Sequence, residues 1–189
     1  MNIISIKEAL ENNDIARNII DGSIIIYPTD TIYGIGCNAT NQESVSKIRM
    51  MKERYSKPLS IIVPNKEYIH NHFDTVGKEE HIGMLPGPYT LVMTMKERIV
   101  PINVTSSMKL GIRMISNEMQ SLFTILGIPI ITTSVNISGM PSIKTISELD
   151  NEQYNVFSNA DIIVDGGLLD GNPSTVIDII GNRPVYYRM

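Results

Sequence analysis

Hydroxyls, amides and cations gather in this chain where apolar runs end. In I-I-I-Y-P-T-D-T-I-Y-G-I-G (24–36), Thr29, Asp30, Thr31 and Tyr33 follow three isoleucines and a tyrosine. Pro28 stops the hydrogen-bonding ladder there, and Gly34 and Gly36 allow close backbone approach. The stretch 130–139, I-I-T-T-S-V-N-I-S-G, repeats the design, and G-N-P-S-T (171–175) brings two more hydroxyls to the start of a strand. Two readings fit each such stretch. It is a ligand site at a strand end, as open α/β sheets build them, or a hydroxyl-rich turn satisfying its own backbone.

The cations are as localised. Lys52, Arg54 and Lys57 sit just before a strand and after a helix. They suit a phosphate, but basic residues are also favoured in a last helical turn by the macrodipole. Arg113 interrupts the apolar run 110–112, where it needs an anion or a salt-bridge partner. Together these groups suit the binding of a small polyanion beside a second polar substrate. They call for neither covalent nor metal-cage catalysis, and alone they do not name the reaction.

Other chemistries lack their residues. There is no phosphate loop of the G-x-x-x-x-G-K-[ST] type, no G-x-G-x-x-G and no G-x-S-x-G. His70, His72, His81 and Asp74 invite a metal reading, but His70 and His72 would face different ways on a helix, and no metal site is expected. Cys37 reads as a small packing residue and the eleven methionines as core filler.

Elements that would hold these groups follow from patterning. Ser5 and Glu8 have capping-box spacing, opening a helix that ends near Gly22. Asn41 caps a second helix to about Arg54, and weaker helices fall at 66–73 and 78–85. Strands are expected at 24–27, 59–63, 89–95, 110–114, 128–133, 162–164, 175–180 and 185–187. A helix is expected at 117–126 and a polar helix near 147–157. Without regular alternation, these elements predict an α/β (mixed α+β) fold with a mixed sheet and helices packed on it.

Composition sets the outer bounds. A 189-residue chain, 42% hydrophobic, can bury one core, so residues 1–189 read as a single domain. Net charge −4 argues against coating nucleic acid by charge alone, and one cysteine excludes an internal disulfide framework. No apolar run nears the ~20 residues of a membrane span, and the N-terminus lacks signal-peptide features, so a cytoplasmic protein is expected.

The order of several motifs adds a resemblance. Y-P-T-D-T-I-Y-G-I-G (27–36), K-E-R (52–54), K-P-L (57–59) and P-G-P-Y-T-L (86–91) are similar to the YrdC-type threonylcarbamoyl-AMP synthases. So are G-I-R (111–113), T-S-V-N-I-S-G (133–139) and S-T-V-I-D (174–178). The Lys-x-Arg and Ser-x-Asn signatures are present as Lys52/Arg54 and Ser134/Asn136. Tyr55 stands where a proline commonly follows the arginine, and the spacing to Lys57 is one residue short. The longer branch of the family carries a C-terminal domain that has no counterpart in this sequence.

The resemblance implies a twisted open sheet with a concave cleft. It implies synthesis of threonylcarbamoyl-AMP and pyrophosphate from L-threonine, bicarbonate and ATP with Mg²⁺, for N6-threonylcarbamoyladenosine in tRNA. Lys52 and Arg54 would be catalytic and, with Lys57, Asn136, Ser142 and Arg183, would hold ATP. Thr31, Arg113, Ser134 and Ser174 would hold threonine. A threonylcarbamoyl-transferase complex would use the product, with weak tRNA or RNA contact a further partner interaction. Two other classes fit the residues: a non-catalytic RNA-binding or ribosome-maturation module, and an inactive nucleotide-binding paralogue.

Overall fold

The computed structural model describes residues 3–188. Ten strands form one sheet: β1 (Ile3–Ser5), β2 (Ile25–Tyr27), β3 (Gly34–Gly36), β4 (Ser60–Ile62), β5 (Tyr89–Thr94), β6 (Lys109–Arg113), β7 (Ile130–Ser134), β8 (Ile162–Asp165), β9 (Thr175–Asp178) and β10 (Val185–Arg188). Their spatial order is β1-β8-β2-β3-β7-β4-β6-β5-β9-β10. Four neighbouring pairs, β1–β8, β2–β8, β4–β6 and β5–β9, are parallel and the rest antiparallel. The sheet is mixed, as the irregular succession of elements predicts.

Helices cover both faces. They are α1 (Ile6–Glu11), α2 (Asn13–Asp21), α3 (Gln42–Met51), α4 (Lys66–His72), α5 (Glu79–Gly83) and α6 (Met119–Leu126). Successive strand side chains point to opposite faces, so the unbroken isoleucine runs feed two cores. Ile26, Ile61, Ile112, Ile131 and Ile163 pack with Val45 and Ile48 of α3 and with Ile69 and Ile82. Ile25, Tyr27, Ile62, Ile130 and Ile162 pack with Ile15, Ile19, Leu122 and Phe123 from α2 and α6. Tyr27 meets Phe123 edge to face at 4.9 Å between ring centres.

Several elements differ from expectation. The first helix is two, because Asn12 ends α1 and its Oδ1 accepts the Asp14 N–H to start α2 (2.9 Å). The capping box at Ser5/Glu8 is present. Strand β1, unforeseen, pairs with β8 just ahead of that box. The Gly34–Gly36 stretch, outside the expected strands, is a strand between β2 and β7. Glycine is required there: a Cβ on Gly36 would lie 2.0 Å from the Ile131 carbonyl oxygen. The polar helix near 147–157 is instead two 3-10 turns, Ile146–Asp150 and Asn155–Asn159. Helix α6 starts at Met119, since Asn117 Oδ1 accepts the Met119 N–H at 3.2 Å instead of joining the helix.

Candidate active site

A cleft of about 780 Å³ opens across the middle of the sheet. Its lining includes Thr31, Arg54, Lys57, Arg113, Ser134 and Ser174, drawn from loops and strands far apart in sequence. That volume is within the usual range for small-molecule sites, about 300–1,000 Å³.

One end is built around the turn after β2. Thr29 Oγ1 accepts the N–H groups of Thr31 (3.0 Å) and Ile32 (3.2 Å) and donates to the Ile32 carbonyl (2.7 Å). With that proton spent, the 2.8 Å contact between Thr31 and Thr29 hydroxyls has Thr31 as donor. Arg113 Nη1 donates to Thr31 Oγ1 at 3.4 Å. The Thr31 oxygen therefore faces the cleft as an acceptor. Arg113 Nη2 donates to Asp30 Oδ1 at 2.6 Å, and Ser116 Oγ donates to Asp30 Oδ2 at 3.0 Å. The ion-paired side chains are only 7% and 9% exposed. Of the two sequence readings of Arg113, the salt-bridge partner is present, and Arg113 also lines the cleft.

The far wall at this end is the loop before β9. Ser174 Oγ lies 2.9 Å from Thr90 Oγ1, both buried. Tyr33 Oη accepts the Gly166 N–H (2.9 Å) and donates to the Gly167 carbonyl (2.8 Å), sewing the two walls together. Burial pushes this phenol up to about 12, so it stays protonated and keeps donating. Gly171 packs on the Thr31 backbone, where a Cβ would lie 2.3 Å from the carbonyl oxygen.

The other end is the loop after α3. Glu53 adopts φ 51°, left-handed geometry that lets the chain reverse between Lys52 and Arg54. Arg54 reaches the cleft while its Nη2 donates to the Pro58 carbonyl at 2.6 Å, and exposed Lys57 lines the rim. Lys52 behaves differently. Its side chain is buried, and Nζ donates to the carbonyls of Ser134 and Asn136 and to Asn136 Oδ1. Three donors meet three acceptors from one turn. Burial, then the nearby Arg54 charge, pull this ammonium down to about 7. Asn136 is equally occupied: Oδ1 accepts from Ser134 Oγ, and Nδ2 donates to Ile137 and Met140 carbonyls at 2.8 Å.

Lys52 and Asn136 therefore lie beneath the cleft and support Ser134, rather than forming its lining. Ser142 donates to the Val135 carbonyl (3.4 Å) and is not on the lining. Arg183, exposed in the turn before β10, is not on it either. Sequence reasoning did not foresee the Asp30–Arg113 pair, although a lone carboxylate in a hydroxyl-rich turn was a signal. It also missed Lys109, Asp178 and Tyr187, which share the lining. Asp178 lies 3.8 Å from Lys109 Nζ and accepts from Tyr187 Oη at 3.1 Å. Cys37 is buried and its thiol is pushed up to about 12, consistent with packing.

A mixed open sheet with a central polar cleft, cationic at one end and hydroxyl-rich at the other, defines an α/β protein with a cavity of small-molecule size. The family model for Sua5/YciO/YrdC, described as "Telomere recombination", matches residues 17–189. The chain belongs to this family. A protein of Photobacterium profundum named threonylcarbamoyl-AMP synthase is 31% identical, over 69% of this chain and 75% of the relative. The structure of Pyrococcus abyssi Sua5 complexed with L-threonine superposes with a TM-score of 0.85 at 29% identity. That match covers 100% of this chain and 57% of the P. abyssi chain, so the sequence spans little more than half of that relative. Escherichia coli YciO shares the fold: its TM-score is 0.82 at 22% identity, over 99% and 92% of the two chains.

Among the described residues no helix is long and apolar enough to cross a membrane. No group of three or more His, Cys, Asp or Glu among them could hold a metal ion.

Proposed function

We infer that this chain is a threonylcarbamoyl-AMP synthase, a transferase that moves the adenylyl group of ATP. In the chemistry proposed, the amine of L-threonine joins bicarbonate to give a carbamate with loss of water. A carbamate oxygen then attacks the α-phosphorus of ATP, and pyrophosphate leaves. No protein nucleophile is needed. The observation that carries the reading is the convergence of Thr31, Arg113 and Ser174 with Arg54, Lys57 and Ser134 on one cleft. Relatives bearing the synthase name, and a similar structure titled as a threonine complex, support it.

Arg113 offers a fork to the threonine carboxylate while Asp30 fixes its other edge. Thr31, with its proton committed to Thr29, accepts from the substrate amine, and Ser174 meets the substrate hydroxyl. Arg54 and Lys57 take the phosphates, and Lys52 acts from below by fixing the Ser134–Asn136 turn. Mg²⁺ enters as part of the ATP substrate. Asp178 on the cleft lining and Asp30 beside Arg113 fit that route, because both are already engaged by Arg113, Ser116, Lys109 and Tyr187. The product would pass to a threonylcarbamoyl-transferase complex acting on tRNA.

Pyrophosphate release from ATP tests the reading. Release that requires both threonine and bicarbonate is expected. ATP turnover indifferent to threonine would overturn it, and ATP binding with no release would favour the inactive nucleotide-binding paralogue.

A further inference from the structure

We propose that Arg49 is a positioning residue that clamps the loop 52–58 into the shape in which Arg54 and Lys57 face the cleft. The inference rests on the assignment of those two cations to ATP. Arg49 belongs to the last turn of α3 and is 8% exposed. Among the described residues no carboxylate lies within ion-pair distance of it. Its guanidinium is spent on main-chain carbonyls. Nε donates to Asn103, Nη1 to Arg54 (2.6 Å), and Nη2 to Lys57 (3.1 Å) and Val104 (3.2 Å).

These four acceptors come from two loops. Arg54 and Lys57 are the cleft cations themselves, held here by their backbones. Arg49 grips Arg54 twice, since its own carbonyl accepts the Arg54 N–H at 3.0 Å. Asn103 and Val104 belong to a turn tied back to α3, where Asn103 Nδ2 donates to the Gln42 carbonyl (2.9 Å) and Ser46 Oγ (3.0 Å). Val104 in turn accepts the Leu59 N–H at 3.0 Å, at the entry to β4. Arg49 thus joins the start and end of the cation loop to a fixed support.

Burying a charge without an opposite charge is costly unless hydrogen bonds surround it. Four carbonyl dipoles do so here, and they come from segments without a ladder of their own, whose acceptors need donors. The planar five-donor fork can reach four carbonyls at once, whereas a lysine ammonium is a single point with three donors. No proline stiffens 53–57, so these bonds supply the restraint. They also keep the Arg49 charge a few residues from the phosphate end without spending it on a carboxylate.

The test compares the wild-type chain with Arg49→Ala and Arg49→Lys in two measurements. In amide hydrogen exchange, the Arg54 and Leu59 N–H groups should exchange at least ~10-fold faster in both variants, with Ile61 and Ile131 changed less than about 2-fold. In steady-state pyrophosphate release, KM for ATP should rise about 10-fold or more, with KM for threonine within about 2-fold. If Arg49→Ala does not fold, Arg49→Lys carries both measurements, because it keeps the charge and loses only the fork. Unchanged exchange at Arg54 and Leu59, or equal rises in the two KM values, would overturn the proposal. A wild-type chain that releases no pyrophosphate would sink the synthase reading, and the exchange measurement would then decide the clamp by itself.

Discussion

The two ends of the cleft hold their cations in opposite ways. At the end proposed to hold threonine, Arg113 is fixed by side chains: Asp30 at 2.6 Å, with Ser116 and Thr31 completing the set. At the end proposed to hold the phosphates, Lys52 and Arg49 are fixed by main-chain carbonyls, and among the described residues neither has an ion-paired carboxylate. Carbonyl dipoles satisfy donors without cancelling net charge, whereas a carboxylate cancels it. The first end is therefore close to neutral, which suits a zwitterionic amino acid. The second keeps the charge of Arg49 beside those of Arg54 and Lys57, although burial draws Lys52 itself down to about 7, and that surplus suits a triphosphate.

Breaking the neutral end has the largest expected effect. Arg113→Ala leaves the Asp30 carboxylate buried with Ser116 alone, which should cost on the order of 3–5 kcal/mol in stability. Threonine-dependent turnover should fall with it, and chemical denaturation beside single-substrate kinetics would check both. A variant as stable as wild type would mean the pair is not buried as described. At the charged end the split reverses. Arg54→Ala should lower the rate about 100-fold or more, since a charge meeting a transferring phosphate is worth several kcal/mol of barrier. Its stability should change by only about 1 kcal/mol. Wild-type kinetics in that variant would reduce Arg54 to a helix-end cation.

Lys52 sharpens the contrast through pH. Its pKa is drawn from the ordinary 10.5 down to about 7 in the folded chain. Between those values the unfolded chain binds a proton that the folded chain has released. The contribution of this group to stability therefore rises with pH across that window, by up to about 1.4 kcal/mol per unit. Denaturation at pH 6, 7.5 and 9 should show that rise, flattened in Lys52→Met. A larger rise in Lys52→Met than in wild type would contradict it.

The smallest effect concerns substrate choice. Serine loses one methyl, about 1 kcal/mol, and should be a poorer but detectable substrate. Valine strands the groups that meet the hydroxyl, which costs about 1–3 kcal/mol, so it should rank below serine. Valine turnover equal to serine turnover would show that the pocket reads shape alone.

The same contrast explains what was legible in the sequence. Thr31, Arg113, Ser134 and Ser174 could be read because polar side chains at the ends of apolar runs are conspicuous, and their type states their chemistry. The strands could be read because isoleucine runs buried on both faces have few alternatives. The end proposed for the phosphates was less legible. Lys52 looked like a group for phosphate, yet its three donors are taken by Ser134 and Asn136, partners set by a backbone turn 82 to 84 residues away. Arg49 was hidden by its place in a last helical turn, where a cation excites no notice. Gly34–Gly36 was not among the expected strands, since glycines weaken one, and only the close approach of Ile131 makes Gly36 necessary there.

The division of the cleft is tested most directly by measuring KM for threonine and for ATP separately in Arg113→Lys and Arg54→Lys. Arg113→Lys keeps a charge beside Asp30 but loses the fork, and should raise KM for threonine about 10-fold or more while leaving ATP nearly unchanged. Arg54→Lys should do the reverse. If each variant raises both constants together, the cleft is not divided into a neutral threonine end and a charged phosphate end.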